Sequence, residues 1–316
     1  MTGHRARVAL ATAATSWGLD VDAPLMLDAL GHAGVDASPA VWDDAAVDWA
    51  AFDLVVVRST WDYMGRLAEF TDWARRVERV TTLANPAAVI EWNTDKRYLA
   101  ELERHGVRIV PTEFLDAAEL DPVTAPAAAR TALDAQLDAS ACGEAVVKPT
   151  VSAGSKDTLR VGRDDVDRGV ELAANLLRAG RGVMVQPYLD AVDERGETGL
   201  VSLAGEFSHA FTKGAILQRG AGLVDGPYAE ERITPTVPTE AEFALRDAAV
   251  AAIGARFGPL LYSRIDMIAG PDGQPAVLEA ELTEPSLFLS VDTDAAARFA
   301  RSVADWVARP SGAPAR

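Results

Sequence analysis

Two late segments, Leu260-Leu-Tyr-Ser-Arg-Ile-Asp-Met-Ile-Ala269 and Gln274-Pro-Ala-Val-Leu-Glu-Ala-Glu-Leu282, flank the turn signal Gly270-Pro-Asp-Gly273. Apolar residues alternating with polar ones around such a cluster read as antiparallel strands joined by a hairpin. If residues 270–273 form a four-residue loop, Ala269 faces Gln274, Arg264 lies opposite Glu279, and Asp266 opposite Val277. Side chains two apart on a strand share a face, so Arg264, Asp266, Glu279 and Glu281 project to one side. Ile265, Met267, Leu278, Ala280 and Leu282 then project to the other, into a core; a bulge would change this register. Three carboxylates on one face raise each other's pKa unless a cation joins them. Oxygen ligands without His or Cys suit Mg²⁺, which keeps several waters and bridges to phosphates. A solvated outer face with one Arg–Glu pair is the alternative, but the segment Ala276–Ser286 is otherwise too apolar for an open surface strand.

The rest of the chain divides into three parts, expected as domains over 1–90, 91–189 and 190–310. In the first, strand signals at Val8–Thr12, Val35–Val41 and Asp53–Thr60 alternate with helix signals at Asp22–His32 and Leu67–Val77. That alternation implies a parallel sheet of Rossmann type, although it lacks the G-x-G-x-x-G turn of dinucleotide binders. The second part begins near Asn93, read as the N-cap of a helix carrying Lys96. The alanine-rich stretch Ala117–Ala141 reads as a surface helix and connector. Strands follow at Glu144–Lys148, Asp157–Val161 and Val183–Leu189, with a helix at Asp164–Arg178. The third part opens with a hairpin at Leu200–Lys213, turning at Ala204-Gly205-Glu206. Thr239 and Glu242 fit a capping box for a helix over Glu240–Phe257. A last amphipathic helix is expected near Asp292–Val307, before a frayed tail at Pro310–Arg316.

Composition narrows the function. The 316 residues suffice for about two domains or one large one. With 49% apolar and 24% charged residues, a mainly disordered chain is excluded. Thirty basic residues against 47 acids give a net charge of −17, a field that repels nucleic acid and anionic membrane. A phosphate ligand in a locally basic cleft is still compatible with that balance. Cys142 is the single cysteine and the four histidines are scattered, so neither a disulfide framework nor a His/Cys metal centre is expected. No apolar run approaches the ~20 residues of a membrane span. The N-terminus reads as a first strand and not a secretory signal, so a cytoplasmic protein is expected.

Lys148 follows three small apolar residues in a strand and precedes Thr150-Val-Ser-Ala-Gly-Ser-Lys156. Such a small, hydroxylated loop lets backbone N–H groups approach phosphate oxygens. The G-x-x-x-x-G-K-[ST] pattern of a P-loop is missing. Arg58, Ser59, Trp61 and Asp62 follow a strand's carboxyl end, where parallel α/β domains place ligand groups. They are expected to contact the substrate; a Trp at a domain interface with Asp62 capping a helix is the alternative.

In this order the motifs resemble the ATP-grasp superfamily over nearly the whole chain. The resemblance implies a Rossmann-like N-terminal domain and two α+β domains enclosing ATP. Lys96 and Lys148 match the phosphate-contacting lysines, and Ser152-Ala-Gly-Ser155 the loop that closes over them, implicating Ser152, Gly154 and Ser155. Val183–Leu189 matches the hinge strand beside adenine, with Gln186, Tyr188 and Leu189 against the nucleotide and Asp193 or Glu197 on its ribose. Arg264-Ile-Asp266 and Leu278-Glu-Ala-Glu281 match the R-x-D and E-x-N magnesium motifs, with Glu281 in place of asparagine. Asp266, Glu279 and Glu281 are thus the implied metal ligands.

Val57–Tyr63, Asn93–Tyr98 and Phe207–Lys213 look like the cycloserine-forming ATP-grasp ligases, which activate the carboxylate of O-ureido-serine and close the ring. The resemblance implies an ADP-forming C–N ligase using ATP and Mg²⁺ on a small amino-acid-like substrate, through an acyl phosphate. Arg264, Lys148 and Lys213 would be catalytic, and Arg232 would join Lys213 in gripping carboxylate or phosphate. The loop over Thr150–Asp157 would close to exclude water. His209 is either a base or a structural histidine. A peptide or amino-acid ligase of natural-product biosynthesis and a non-catalytic nucleotide-binding regulator are the alternatives. A homodimer is the default oligomeric state.

Overall fold

The computed structural model describes residues 5–152, 154, 156–215, 217 and 232–309. Val8–Ala11 and Leu54–Val57 are fully buried along their whole length, which a strand tolerates only where both faces of its sheet are covered. Strands β1 (Arg7–Thr12), β2 (Asp36–Val41), β3 (Leu54–Val57) and β4 (Thr82–Ala84) form a parallel sheet in the order β2-β1-β3-β4. Val8, Leu10 and Val56 pack against Met26 and Leu30 of α1 (Ala23–His32). Ala9, Ala11, Val55 and Val57 meet Phe70 and Trp73 of α2 (Leu67–Glu78) on the opposite face.

Two short helices, α3 (Ala87–Asn93) and α4 (Tyr98–Arg104), lead out of this sheet. The sequence suggested that Asn93 caps a helix carrying Lys96; instead Asn93 ends α3, and Lys96 lies in the turn before α4. The amide of Asn93 has a longer-range use. It donates to Ala280 O at 2.7 Å and accepts from Leu282 N at 2.8 Å.

The middle of the chain builds a second sheet, ordered β5-β8-β6-β7 and antiparallel. Its members in chain order are β5 (Glu113–Leu115), helix α5 (Ala125–Ala139), β6 (Glu144–Pro149), β7 (Leu159–Gly162), helix α6 (Val166–Arg178) and β8 (Val183–Pro187). The expected surface helix is half core: Ala129, Leu133 and Leu137 of α5 pack with Val147, Val161 and Val183. Its alanines let α6 approach closely, and a Cβ on Gly169 would sit 3.1 Å from Leu133 Cδ1.

After the short α7 (Ala191–Arg195), a third sheet takes the order β11-β10-β9-β12-β13. It comprises β9 (Glu197–Leu203), β10 (Glu206–Lys213), β11 (Ile233–Pro235), β12 (Tyr262–Ala269) and β13 (Pro275–Glu281). The β9–β10 turn holds Ala204 at φ 50° and Gly205 at φ 89°, the two positive values a two-residue type I′ hairpin requires. Helix α8 (Glu240–Phe257) starts with the expected capping box between Thr239 and Glu242. It covers one face of the sheet, where Ile265, Met267, Val277 and Ala280 are buried. The final helix, α9 (Ala295–Val307), returns to α1, so Phe299, Ala300 and Val303 join the first sheet to Val201, Leu203 and Phe211 of the third. Residues grouped with the C-terminal part by sequence thus complete the N-terminal layer. The expected frayed tail lies outside the described residues. No helix among the described residues is long and apolar enough to cross a membrane.

Candidate active site

The second and third sheets face each other across a cavity of about 620 Å³. Alternation along β6 sends Ala145 and Val147 into the helix-covered core and leaves Val146 and Lys148 on the cavity wall. Gln186 pairs with Val146 across β8 and lines the same wall, donating to Thr112 Oγ1 at 2.9 Å. One end is apolar: Val110, Val146, Tyr188, Leu189, Ile268 and Ala276 form a cluster, with Leu217 and Leu278 packed on it. Arg160 stacks its guanidinium 3.4 Å from the Tyr188 ring centroid and pairs with Glu144 at 2.5 Å.

The opposite wall comes from the hairpin β12–β13. Arg264 pairs with Glu281 and Asp266 with Glu279, and a bulge then leaves Leu278 unmatched between the pairs Asp266–Glu279 and Met267–Val277. The expected partners were Glu279 and Val277, so the register moves by two residues. An even shift preserves faces. Arg264, Asp266, Glu279 and Glu281 therefore share one side, as the alternation implied, whereas Leu278 turns from its expected core position to the cavity. Gly199 pairs with Asp266 and has no room for a side chain, because a Cβ would lie 2.4 Å from Phe211 Cζ. Phe211 in turn sits under the Arg264 guanidinium, 5.8 Å from ring centroid to Cζ.

Opposite charges interlock across this wall. Arg264 donates from Nε and Nη2 to the two oxygens of Asp266 at 2.8 Å each, from Nη2 also to Glu281, and from Nη1 to Ser286 O at 2.7 Å. Lys213 lies 2.8 Å from Glu197 and 3.7 Å from Asp266. Lys96 reaches across from the α3–α4 turn, 3.0 Å from Glu279, and donates to Ser152 O at 2.6 Å. Burial alone would raise the Glu279 carboxyl, but Lys96, Lys148 and Lys213 together hold it well below the usual range. Glu281 is pushed the other way, because burial and the charges of Asp266 and Glu279 outweigh Arg264. Burial draws the Lys148 ammonium down to about 8, against the pull of Glu279 and with the push of Lys96. A lysine so placed is desolvated, which disfavours its charged form.

The family described as D-cycloserine synthetase DcsG, N-terminal domain, matches residues 8–85. The cycloserine biosynthesis protein DcsG of Streptomyces lavendulae is 40% identical over 301 residues, covering 94% of this chain and 98% of that protein. The chain belongs to the DcsG family. The crystal structure of D-cycloserine synthetase DcsG superposes with a TM-score of 0.87 at 40% identity, over 95% of this chain and 99% of that one. D-alanine–D-alanine ligase of Bacillus anthracis, solved with ATP, matches at a TM-score of 0.66 and 16% identity over 96% of this chain and 97% of its own. The ATP-grasp ligase PsnB, solved with a minimal precursor, Mg and ADP, matches at 0.61 and 17% over 96% and 98%. The fold is therefore the ATP-grasp fold, and this DcsG-family chain is an ATP-grasp ligase.

Most residues singled out by sequence meet in one place. Lys96, Lys148, Ser152, Gly154, Gln186, Tyr188, Leu189, Glu197, Lys213, Arg264, Glu279, Glu281 and Trp61 all line the cavity of this DcsG-family enzyme. Ser155 falls outside the described residues. Asp266 is 2% exposed and lies behind Arg264. Asp193 does not line the cavity: it accepts from the Tyr188 hydroxyl at 2.5 Å, leaving Glu197 as the acid that does. Arg232 is exposed and outside the cavity lining.

Three expected substrate contacts are corrected. Arg58 is 1% exposed, donates to Pro285 O at 2.6 Å and faces Asp20 and Asp22 at 3.4 Å, so it clamps the first sheet to the loop after β13. Ser59 is buried against Thr12 Oγ1 at 2.8 Å. Asp62 accepts from Trp42 Nε1 at 2.8 Å. Their partners are distant in sequence, and nothing local announced them. Arg58→Ala is expected to cost about 3–5 kcal/mol, because it strips the cation from buried aspartates. A fall in the urea midpoint with an unchanged KM in the folded fraction would show it; a raised KM at unchanged stability would restore the substrate role.

His209 is structural. Its Nε2 donates to Leu287 O at 2.6 Å, so Nδ1 is the acceptor of the Ser208 hydroxyl at 2.9 Å, and burial lowers its pKa. Sequence reading passed over Tyr63, Glu284, Ser286 and Phe288, which line the cavity as Trp61 does. The one available signal was the carboxylate of Glu284, three positions beyond an acidic pair.

The same geometry tests the fit of a divalent ion. Among the described residues no three His, Cys, Asp or Glu side chains converge as a ready-made cage. The expected triad is divided, since Arg264 engages Asp266 and Glu281 while Lys96 engages Glu279. Glu279 and Glu281 nevertheless offer oxygen donors on the cavity wall, and Mg²⁺ is commonly held by one or two carboxylates plus phosphates. The donor set fits that ion.

Proposed function

We propose that the chain is an ADP-forming ligase that activates the carboxylate of O-ureido-serine as an acyl phosphate and closes the ring to cycloserine. What supports this most is the convergence of Lys96, Lys148, Lys213 and Arg264 with Glu279 and Glu281 in one cavity of a DcsG-family ligase. Residues 91–189 and 190–310 would hold the nucleotide between them, behind a Rossmann-like domain over 1–90. The purine would enter between Val146, Leu189, Ile268 and Leu278, with Gln186 at its edge and Glu197 toward the ribose. Lys96, Lys148 and the backbone at Ser152 and Gly154 would take the phosphates. Glu279 and Glu281 would hold Mg²⁺, with Asp266 joining once Arg264 turns to the substrate; the ion would neutralise charge on the phosphates.

The chemistry then follows from position and charge. The substrate carboxylate, held by Arg264 and Lys213, attacks the γ-phosphorus, and the bond to ADP breaks. The oxygen-bound nitrogen of the ureido group attacks the acyl carbon, loses its proton and expels inorganic phosphate, forming the ring amide. Water then cleaves the carbamoyl group from that nitrogen as carbon dioxide and ammonia, leaving cycloserine. Preorganised cations supply most of the stabilisation in such phosphoryl transfers. ADP release measured with a panel of amino acids tests the reading. Stimulation by O-ureido-serine, with cycloserine as the product, is expected; ATP binding without stimulation by any amino acid would favour a regulator.

A further inference from the structure

Among the described residues, every carboxylate along the cavity but one has a cation beside it. Glu197 pairs with Lys213, Glu279 with Lys96, and Asp266 and Glu281 share Arg264. Glu284 lines the same cavity, and no Lys, Arg or His among the described residues stands within ion-pair distance of it. Its neighbour is neutral: the Tyr63 hydroxyl favours the ionised form of the carboxyl. Burial, with the Glu284 charge beside it, keeps the Tyr63 proton firmly in place. A half-buried carboxylate without a cation is costly, and burial pushes the Glu284 carboxyl up to about 7. Tyr63, Lys96 and Arg264 oppose that rise, and Glu279 adds to it.

The surroundings are rigid. Phe288, which lines the same cavity, holds φ at 50°, a left-handed conformation unfavourable for a non-glycine residue. Asp22 holds it there by accepting the N–H groups of Leu287, Phe288 and Leu289 at 2.6, 3.0 and 2.7 Å. Arg58 in turn faces Asp22. This end of the cavity is thus framed before any ligand arrives.

We propose that Glu284, beside Tyr63 in the cavity that Trp61 also lines, receives the ammonium group of the substrate and so selects amino acids over their deaminated counterparts. The inference rests on the reading of this cavity as an amino-acid site. A zwitterion places its carboxylate toward Arg264 and Lys213 and its ammonium toward the acid that has no cation among the described residues. Hydrogen bonds to charged groups of this kind are stronger than those between neutral groups.

The test is calorimetric binding to the Mg·ADP-loaded enzyme of O-ureido-serine and of serine, each against its deaminated analogue. In the native enzyme at pH 8 the amino ligand of each pair is expected to bind about tenfold tighter or more. Its affinity should rise with pH through about 7, as Glu284 loses its proton. Glu284→Gln should erase both the preference and the pH dependence, and Glu284→Asp should retain them in weaker form. An undiminished preference in Glu284→Gln, equal losses for both members of a pair, or no binding by either amino ligand would overturn the proposal. ADP release is read separately. Selective binding of amino ligands without ADP release would refute the ligase reading and leave the ammonium site standing.

Discussion

Glu279→Gln is expected to lower kcat by about 10²–10³-fold, the usual effect of removing one electrostatic stabiliser from a preorganised site. The substitution keeps the shape and removes the charge. Glu279 is the acid around which Lys96, Lys148 and Lys213 are balanced, and its carboxyl is held well below the usual range by them. Without it, Lys96 loses its 3.0 Å partner and the proposed metal loses a ligand from the cavity wall. Single-turnover measurements at saturating Mg·ATP would report the loss in the chemical step. A rate within about twofold of the native enzyme would remove Glu279 from the metal site.

Lys148→Met should be comparably damaging, and it carries a pH signature. In the ligand-free protein burial brings the Lys148 ammonium down to about 8, although Glu279 pulls the other way. The protonated form attracts the triphosphate. Native kcat/KM for ATP should therefore fall as pH rises through about 8, since this parameter reports the free enzyme's groups. Bound phosphates favour the charged lysine, so nucleotide binding near pH 8 to 9 should take up a proton, measurable by calorimetry in buffers of different ionisation enthalpy. Lys148→Met should lose both the alkaline limb and the proton uptake. A native profile that is flat between pH 7 and 9 would place Lys148 outside the phosphate contacts.

The legible parts of this molecule were those set by short-range rules. Period-two alternation in β12 and β13 put Arg264, Asp266, Glu279 and Glu281 on one face, and that result survived a bulge because the register moved by an even number. The Thr239–Glu242 capping box began a helix at the expected residue. What escaped depended on distant partners. Arg58 looked like a ligand group at a strand's end, but its acceptor is Pro285, 227 residues away. Asn93 looked like a cap, yet its amide is satisfied by the backbone of residues 280 and 282. The last helix could not reveal from its own periodicity that it would pack on α1. Glu284 stood in plain view beside an acidic pair; that it has no cation among the described residues emerged only when Lys96 and Arg264 had been assigned to other acids.

The central claim is that a carboxylate oxygen of the substrate bonds to the γ-phosphorus of ATP. O-ureido-serine labelled with ¹⁸O in its carboxylate tests it directly, by mass analysis of the inorganic phosphate released as the ring closes. One labelled oxygen transferred to each phosphate is the expected result. Unlabelled phosphate accompanying cycloserine would show that the ring closes without an acyl phosphate, and would contradict the account.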